Sequence, residues 1–331
     1  MKPFTFIEPN SLDEVMHQLS LSNGHSRLIA GGSDLLGELK EQIVAYDQLV
    51  SLAGVTSLRH IQTEGAGLRL GALVTLDELE HDSRILATYG ILAEAARGVA
   101  TPEIRNQGTL GGNLCQRPRC MYYRHALTPC LKKGGDHCPA VDSPFQAYLS
   151  VMGGPDCYSV HASDLAPPLM ALEAEVTIAN LTGSRSIPVE QFFSGPEQDV
   201  QRENVLQPGE VLTAVILPAS KPGWQGIYVK ARERAAGDFP LVSVAVGFAL
   251  SGEQIQHPRI VLGGVAPVPW RSADAEAVLQ GQPATPQHAA EASQIALAGA
   301  QPLAHNGFKL EIARTLIARA IMTVASSLQG T

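Results

Sequence analysis

An α+β fold of more than one domain is the architecture this chain predicts, and three observations predict it. The chain has 331 residues, 45% of them hydrophobic and 17% charged, enough for two or three separate cores. Before about residue 215, short apolar strands alternate with helices that carry their own start signals. Beyond it, three strands of antiparallel type are followed by three helices, the strands-then-helices order of a separate α+β unit. The chain divides accordingly into 1–55, 56–215 and 216–331, with no internal repeat or low-complexity segment.

Phe4–Glu8 reads as the first strand. Ser11 starts a helix, and Glu14 three residues on completes a capping box, in which hydroxyl and carboxylate each accept an otherwise unpaired N–H. Val15, Met16 and Leu19 supply its apolar face. A short apolar strand, Arg27–Ala30, then runs into Gly31-Gly32-Ser33-Asp34 and Leu35-Leu36. That order suits an anion-binding nest of exposed N–H groups, although a Gly-Gly pair taken alone is more often an ordinary turn. It is neither GxGxxG nor a Walker loop, which argues against Rossmann and P-loop readings. Leu49–Leu52 and Leu68–Leu73 read as strands, Thr75 to Glu78 as a second capping box, and Ile91–Val99 as an alanine-rich helix. Thr101–Asn113 is a glycine-rich stretch, too polar for a core and too patterned for a linker. Residues 115–160 show little periodicity, as expected of a loop folded around a ligand. Regular structure resumes over Asp164–Ala179, with the strand Glu175–Ala179, a turn at Leu181–Ser184 and a helical piece at Glu190–Phe193. In the last segment Gly226–Lys230, Val242–Leu250 and Pro258–Gly264 read as strands, and Ser272–Leu279, Pro286–Gly299 and Phe308–Ser327 as helices.

Several function classes are excluded. A formal charge of −8 with no basic stripe argues against nucleic-acid binding. No apolar run approaches 18 residues, so no membrane span is expected. The N-terminus, MKPFTFIEPN, shows no h-region, so no signal peptide of its own is expected. No Ser/His/Asp order, catalytic carboxylate pair or HExxH stands out, so no catalytic residue is assigned to this chain.

All five cysteines fall between Cys115 and Cys157, directly behind the glycine-rich stretch. An odd number argues against a fully paired disulfide framework. The spacing, Cys115-x4-Cys120-x9-Cys130-x7-Cys138-x18-Cys157, contains no CxxC and matches neither common ferredoxin run. An iron–sulfur cluster, a zinc ion and structural or redox thiols all stay open on spacing. Pro129 and Pro139 stiffen the loop beside Cys130 and Cys138, and Arg117, Arg119, Lys132 and Lys133 would offset thiolate charge. Cys115, following Leu114, has the setting of an ordinary buried thiol.

Several stretches together resemble a known family. They are Leu28–Leu36 (LIAGGSDLL), Arg105-Asn106-Gln107-Gly108-Thr109 with Gly111-Gly112-Asn113, Ser163-Asp164-Leu165-Ala166, Tyr228-Val229-Lys230 with Arg234 and Leu241-Val242-Ser243-Val244, and Leu262-Gly263-Gly264-Val265-Ala266-Pro267. In this order they look like the FAD-binding subunit of the molybdenum hydroxylases, the xanthine dehydrogenase and aldehyde oxidase family, over essentially the whole chain. The resemblance implies a two-subdomain FAD-binding domain of PCMH type, like vanillyl-alcohol oxidase, across 1–55 and 56–215. It implies a CO-dehydrogenase-flavoprotein-like C-terminal domain across 216–331. The cysteine insertion at about 115–160 narrows the likeness to flavin subunits with an extra [4Fe-4S] cluster, those of 4-hydroxybenzoyl-CoA reductase and of bacterial three-subunit aldehyde oxidoreductases. Gln116-Arg117-Pro118-Arg119-Cys120, Pro129-Cys130, Gly135-Asp136-His137-Cys138 and Asp156-Cys157 look nearest to the aldehyde oxidoreductase type.

Carried over by that resemblance, the cluster ligands are Cys120, Cys130, Cys138 and Cys157, with Cys115 left out. The cofactor-binding set is Leu28, Ile29, Ala30, Gly31, Gly32, Ser33, Asp34, Leu35, Leu36, Arg105, Asn106, Gly108, Thr109, Gly112, Asn113, Asp164 and Lys230. Of these, Gly31–Asp34 would cradle the FAD pyrophosphate through backbone N–H groups. Thr109, Gly112 and Asn113 would lie along the cofactor. Asp164 would meet its ribityl or ribose hydroxyls, and Lys230 would hydrogen-bond near the flavin. The plainer readings are a helix N-cap for Asp164 and a solvated strand residue for Lys230. His125, His137 and His161 read as structural or solvent-facing.

The implied activity is electron transfer in a heterotrimer. Electrons leave a Mo-pterin cofactor on a large partner, cross [2Fe-2S] clusters on a small partner, reach FAD here and pass to a terminal acceptor. The [4Fe-4S] cluster is either on that route or structural. An aldehyde oxidase is the first reading, a 4-hydroxybenzoyl-CoA-reductase-like enzyme with reversed flow the second, and a zinc-binding interaction protein the third. The expected compartment is the periplasm, reached on the small partner's twin-arginine signal, or the cytoplasm.

Overall fold

Three sheets, each with its own apolar cluster, build the chain. The structure, a computed structural model, describes residues 1–22, 24–154, 156–235 and 237–330.

The first unit begins with β1 (Thr5–Ile7), α1 (Leu12–Leu21), β2 (Ser26–Ile29), α2 (Leu35–Lys40) and β3 (Gln48–Ser51). The strands form a parallel sheet in the order β1-β3-β2. The hydroxyl of Ser11 accepts from Glu14 N–H as its sequence predicts, while the Glu14 carboxylate reaches back to Asn10 N–H. Val15, Met16, Val50 and Leu52 close the small core beneath.

The second unit holds β4 (Ile61–Glu64), β5 (Gly67–Gly71), the helices α3 (Leu76–His81), α4 (Ser83–Thr88), α5 (Gly90–Arg97), α6 (Pro102–Gln107), α7 (Leu110–Leu114) and α8 (Ala166–Ala171), and then β6 (Glu175–Asn180), β7 (Gly183–Pro188) and β8 (Val211–Leu217). Its five-stranded sheet runs β4-β5-β8-β6-β7. The Thr75–Glu78 capping box forms with both bonds present. Two expectations need correcting. The glycine-rich stretch is two short helices, α6 and α7, meeting at Gly108, because Pro102 opens the first and the Thr109 hydroxyl caps the second. The central strand β8 is an added element: covered on both faces, its VLTAVIL run lacks the alternation that betrays a half-exposed strand. Asp164 is not the cap of α8; the Ser163 hydroxyl accepts from Ala166 N–H instead.

The third unit comprises β9 (Gln225–Ala231), β10 (Val242–Ser251), β11 (Gln254–Gly263), β12 (Trp270–Arg271), α9 (Ala273–Leu279), α10 (Pro286–Ile295) and α11 (Phe308–Gln329). The antiparallel sheet β12-β11-β10-β9 lies under the helices, with Val244, Val246, Ile260, Ile317 and Ile321 in the shared core. Among the described residues no helix is long and apolar enough to cross a membrane.

The insertion has a single helical turn, Leu131–Lys133, so it depends on its neighbours for order. Its C-terminal arm is tied to the third unit. Val151 and Met152 donate backbone N–H groups to Val265 O at 2.8 and 3.0 Å. Lys309 on α11 is fully buried and donates Nζ to Leu149 O and Gly264 O, each at 2.6 Å. The Asn306 amide reaches Ser150 O at 3.0 Å. Burial pulls the Lys309 ammonium down to about 7, and the two carbonyls are what make its burial tolerable. Lys309→Met fills the same space, takes the donor from Gly264 O and leaves Leu149 O only the longer bond from the Asn306 amide, at 3.3 Å. It is expected to cost about 2 kcal/mol in denaturant unfolding of the full chain, and an unchanged midpoint would refute the clamp.

Candidate functional site

A cleft of about 440 Å³ opens between the first and second units, with the start of the insertion and the loop before β10 on its rim. Its floor is the turn after β2. Gly32 there holds φ at +72°, a left-handed conformation that favours glycine, and Leu36 N–H closes the turn on Gly32 O at 3.1 Å. A side chain at Gly31 would overlap the backbone carbonyl of Gln107, whose own amide donates to Gly31 O at 2.9 Å. The glycine is therefore what lets the first unit approach α6. The N–H groups of Gly31, Gly32, Ser33 and Asp34 find no acceptor among the described residues, and all four residues line the cleft. A row of unpaired donors on a turn into a helix is a site for a phosphate oxygen.

Across the cleft, Gly108, Thr109, Gly112, Asn113 and Asp164 contribute wall. Asp164 is buried, with Lys230 Nζ at 2.8 Å and the Tyr228 hydroxyl donating to its other oxygen. Lys230 also donates to Gly98 O at 3.1 Å. Burial, reinforced by Asp164, holds the Tyr228 hydroxyl well above its ordinary range, so it stays a donor. Asp164 is thus oriented by partners at both oxygens while it lines the cleft.

The insertion grips the cradle at Asp34. Its carboxylate accepts Arg117 N–H at 2.8 Å and Arg124 Nη2 at 2.7 Å, and pairs with Arg119 Nη2 at 3.0 Å. One turn further along α2, Glu38 accepts from Tyr123; burial raises this carboxyl and the Tyr123 bond partly offsets it. Arg117 pairs with Glu203, which also takes Lys132 Nζ at 2.7 Å.

The cysteines separate into two settings. Cys115 lines the cleft at the end of α7, and burial pushes its thiol up to about 12. Burial holds the thiols of Cys120, Cys130 and Cys138 above the ordinary range, Cys120 at about 11, with nearby Cys157 a smaller contribution to each. No three of these sulfurs lie mutually within 4.8 Å among the described residues. A tetrahedral zinc site with Zn–S near 2.3 Å would hold its sulfurs about 3.8 Å apart. His161 is buried against the Phe193 ring at 4.6 Å, and burial pulls it down to about 3. His125 and His137 turn to Thr128 and Asp136.

The FAD binding domain in molybdopterin dehydrogenase matches residues 2–220, and the CO dehydrogenase flavoprotein C-terminal domain matches residues 227–324. This chain is an FAD-binding subunit of the molybdenum hydroxylase family. It is similar to the aldehyde oxidoreductase FAD-binding subunit PaoB of Escherichia coli (strain K12), 35% identical with 96% of this chain and 97% of that one covered. The carbon monoxide dehydrogenase medium chain of Hydrogenophaga pseudoflava is 27% identical over 90% of this chain and 88% of its own. A solved carbon monoxide dehydrogenase structure from the same organism superposes at TM-score 0.79 with 26% identity, covering 99% of each chain. Quinoline 2-oxidoreductase from Pseudomonas putida 86 does so at 0.78 and 26%, again covering 99% of each. The family membership removes the reading as a zinc-binding interaction protein.

Most of the sequence-derived set lines the cleft. Leu28, Ile29, Ala30, Gly31, Gly32, Ser33, Asp34 and Leu35 line one side, and Gly108, Thr109, Gly112, Asn113 and Asp164 the other. Four residues are set back from the cleft. Leu36 points to the half-exposed side of α2. Arg105 pairs with Glu80 at 2.9 Å, Asn106 bonds back to Pro102 O at 2.8 Å, and Lys230 stands behind Asp164. Sequence reasoning missed Gln107 as the latch on Gly31, and Arg119, Glu203 and Phe239 as lining. These come from distant segments and carry no local signal. Because a methyl at Gly31 meets backbone, Gly31→Ala is expected to weaken FAD binding by about tenfold or more. Gly37→Ala, where a methyl meets nothing within 4 Å, keeps it. The flavin-to-protein absorbance ratio of the two purified chains checks this, and equal ratios would refute the close-approach account.

Proposed function

We propose that this chain is the FAD- and [4Fe-4S]-carrying electron-transfer subunit of a molybdenum-dependent aldehyde oxidoreductase. Its partners in this reading are a large Mo-pterin subunit and a small [2Fe-2S] subunit. The aldehyde reading is carried by the similarity to an aldehyde oxidoreductase FAD-binding subunit along nearly the whole of both chains. When bound, the flavin supplies electron exchange between the partners' one-electron centres and a terminal acceptor.

This chain's residues supply position and charge. The free N–H groups of Gly31–Asp34 receive the pyrophosphate, and the carboxylate of Asp164, held by Lys230 and Tyr228, accepts from hydroxyls of the sugar chain. Thr109, Gly112 and Asn113 run along the cofactor. Cys120, Cys130, Cys138 and Cys157 hold the [4Fe-4S] cluster. Support for a cluster over a bare zinc comes from their spacing: four thiols near enough to feel one another, with no three inside 4.8 Å, suit a group several ångströms across.

The test uses the complex co-purified through this chain. Anaerobic addition of an aldehyde is expected to bleach the flavin absorbance, and an aromatic acyl-CoA to leave prereduced flavin unchanged. Reoxidation by the acyl-CoA without any response to aldehydes would overturn the aldehyde reading in favour of a reductase. For the cluster, Cys130→Ser is expected to remove more than half of the bound iron and Cys115→Ser to leave it. Zinc in place of iron in the wild-type chain would contradict the cluster outright.

A further inference from the structure

We propose that Arg119, a residue of the insertion, is a direct ligand of the FAD pyrophosphate. The inference rests on reading Gly31–Asp34 as the cradle of that group.

Of the three arginines around Asp34, two are committed to protein partners. Arg117 spends its guanidinium on Tyr123, Gln201 O and Glu203. Arg124 donates Nε to Pro118 O and Nη2 to Asp34 and Arg117 O. Arg119 is different. Only its Nη2 is engaged, with Asp34 at 3.0 Å and Gln116 Oε1 at 3.2 Å. Its Nε is buried without a hydrogen-bond partner, and Nη1 has none among the described residues. A buried guanidinium N–H left unpaired is costly unless a ligand takes it.

The surroundings say which ligand. Arg119 lines the same cleft as the four unpaired N–H groups of Gly31–Asp34. Its guanidinium lies over the Phe239 ring, 4.9 Å from the centroid, which fixes the fork without consuming a donor. A pyrophosphate placed on the cradle brings two negative charges beside the Asp34 carboxylate. Arg117 is already offset by Glu203, and Arg124 by Asp34 itself. Of the three arginines at Asp34, Arg119 has the most donors to spare, and a guanidinium fork matches phosphate oxygens in geometry as well as charge. It adjoins Cys120 in sequence, so one short segment serves both the cofactor and the cysteine group.

The experiment titrates FAD into the flavin-stripped full chain at low and high salt. It compares wild type with Arg119→Gln, Arg119→Met and Arg119→Lys, all checked for an unchanged thermal transition. Gln and Met keep the stem over Phe239 but lose the charge. Both are expected to weaken FAD binding about tenfold or more at roughly 0.05 M salt, and the deficit to shrink severalfold at about 0.5 M. Lysine is expected to recover most of the affinity. Unchanged affinity in the Gln and Met variants overturns the proposal. So does a deficit of equal size at both salts and in the lysine variant, which marks a packing role. Should the Gln variant fail to fold, the Met and Lys variants decide alone. A wild-type chain that takes up no FAD would instead refute the cradle on which the inference rests.

Discussion

The Asp34 carboxylate is the point on which the rest of the site depends. It ends the glycine turn, opens α2 and receives one backbone N–H and two guanidinium groups from a segment more than eighty residues further along. A parallel sheet of three short strands has little core of its own, and the N–H groups of its glycine turn find no acceptor among the described residues. Cationic contacts from the insertion hold that turn at the distance from α6 that the absence of a side chain at Gly31 permits. The cleft is therefore made by two units and an insertion together.

The insertion is ordered by a polar device at each end, because it has almost no regular structure. At one end stand Asp34, Glu38 and Glu203 with Arg117, Arg124 and Lys132; at the other, Lys309 and Asn306 hold backbone carbonyls. Buried charge is tolerable in this way only when each group is paired or hydrogen-bonded.

The fold was largely legible in the sequence, and the site partly so. Capping boxes at Ser11 and Thr75 and the apolar stripe of α11 are local signals, and they form elements where the pattern puts them. The turn Gly31–Asp34 was readable for the same reason: strand, glycines and helix are contiguous. The strand β8 was missed because a strand buried on both faces does not alternate. The glycine stretch 101–113 was not assigned to helix because glycine content outweighed the Pro102 and Thr109 start signals. The Lys230–Asp164 contact spans 66 residues, and no local pattern announces it. Arg117 and Arg119 were read only as charge near thiols, since nothing in their neighbourhood names Asp34, more than eighty positions earlier.

The most direct test of this account is amide hydrogen exchange on the full chain with Asp34→Asn, read peptide by peptide against wild type. If Asp34 joins cradle and insertion, amides in 31–37 and those in 117–133 lose protection together. A change confined to 31–37, with the insertion as protected as before, would contradict it.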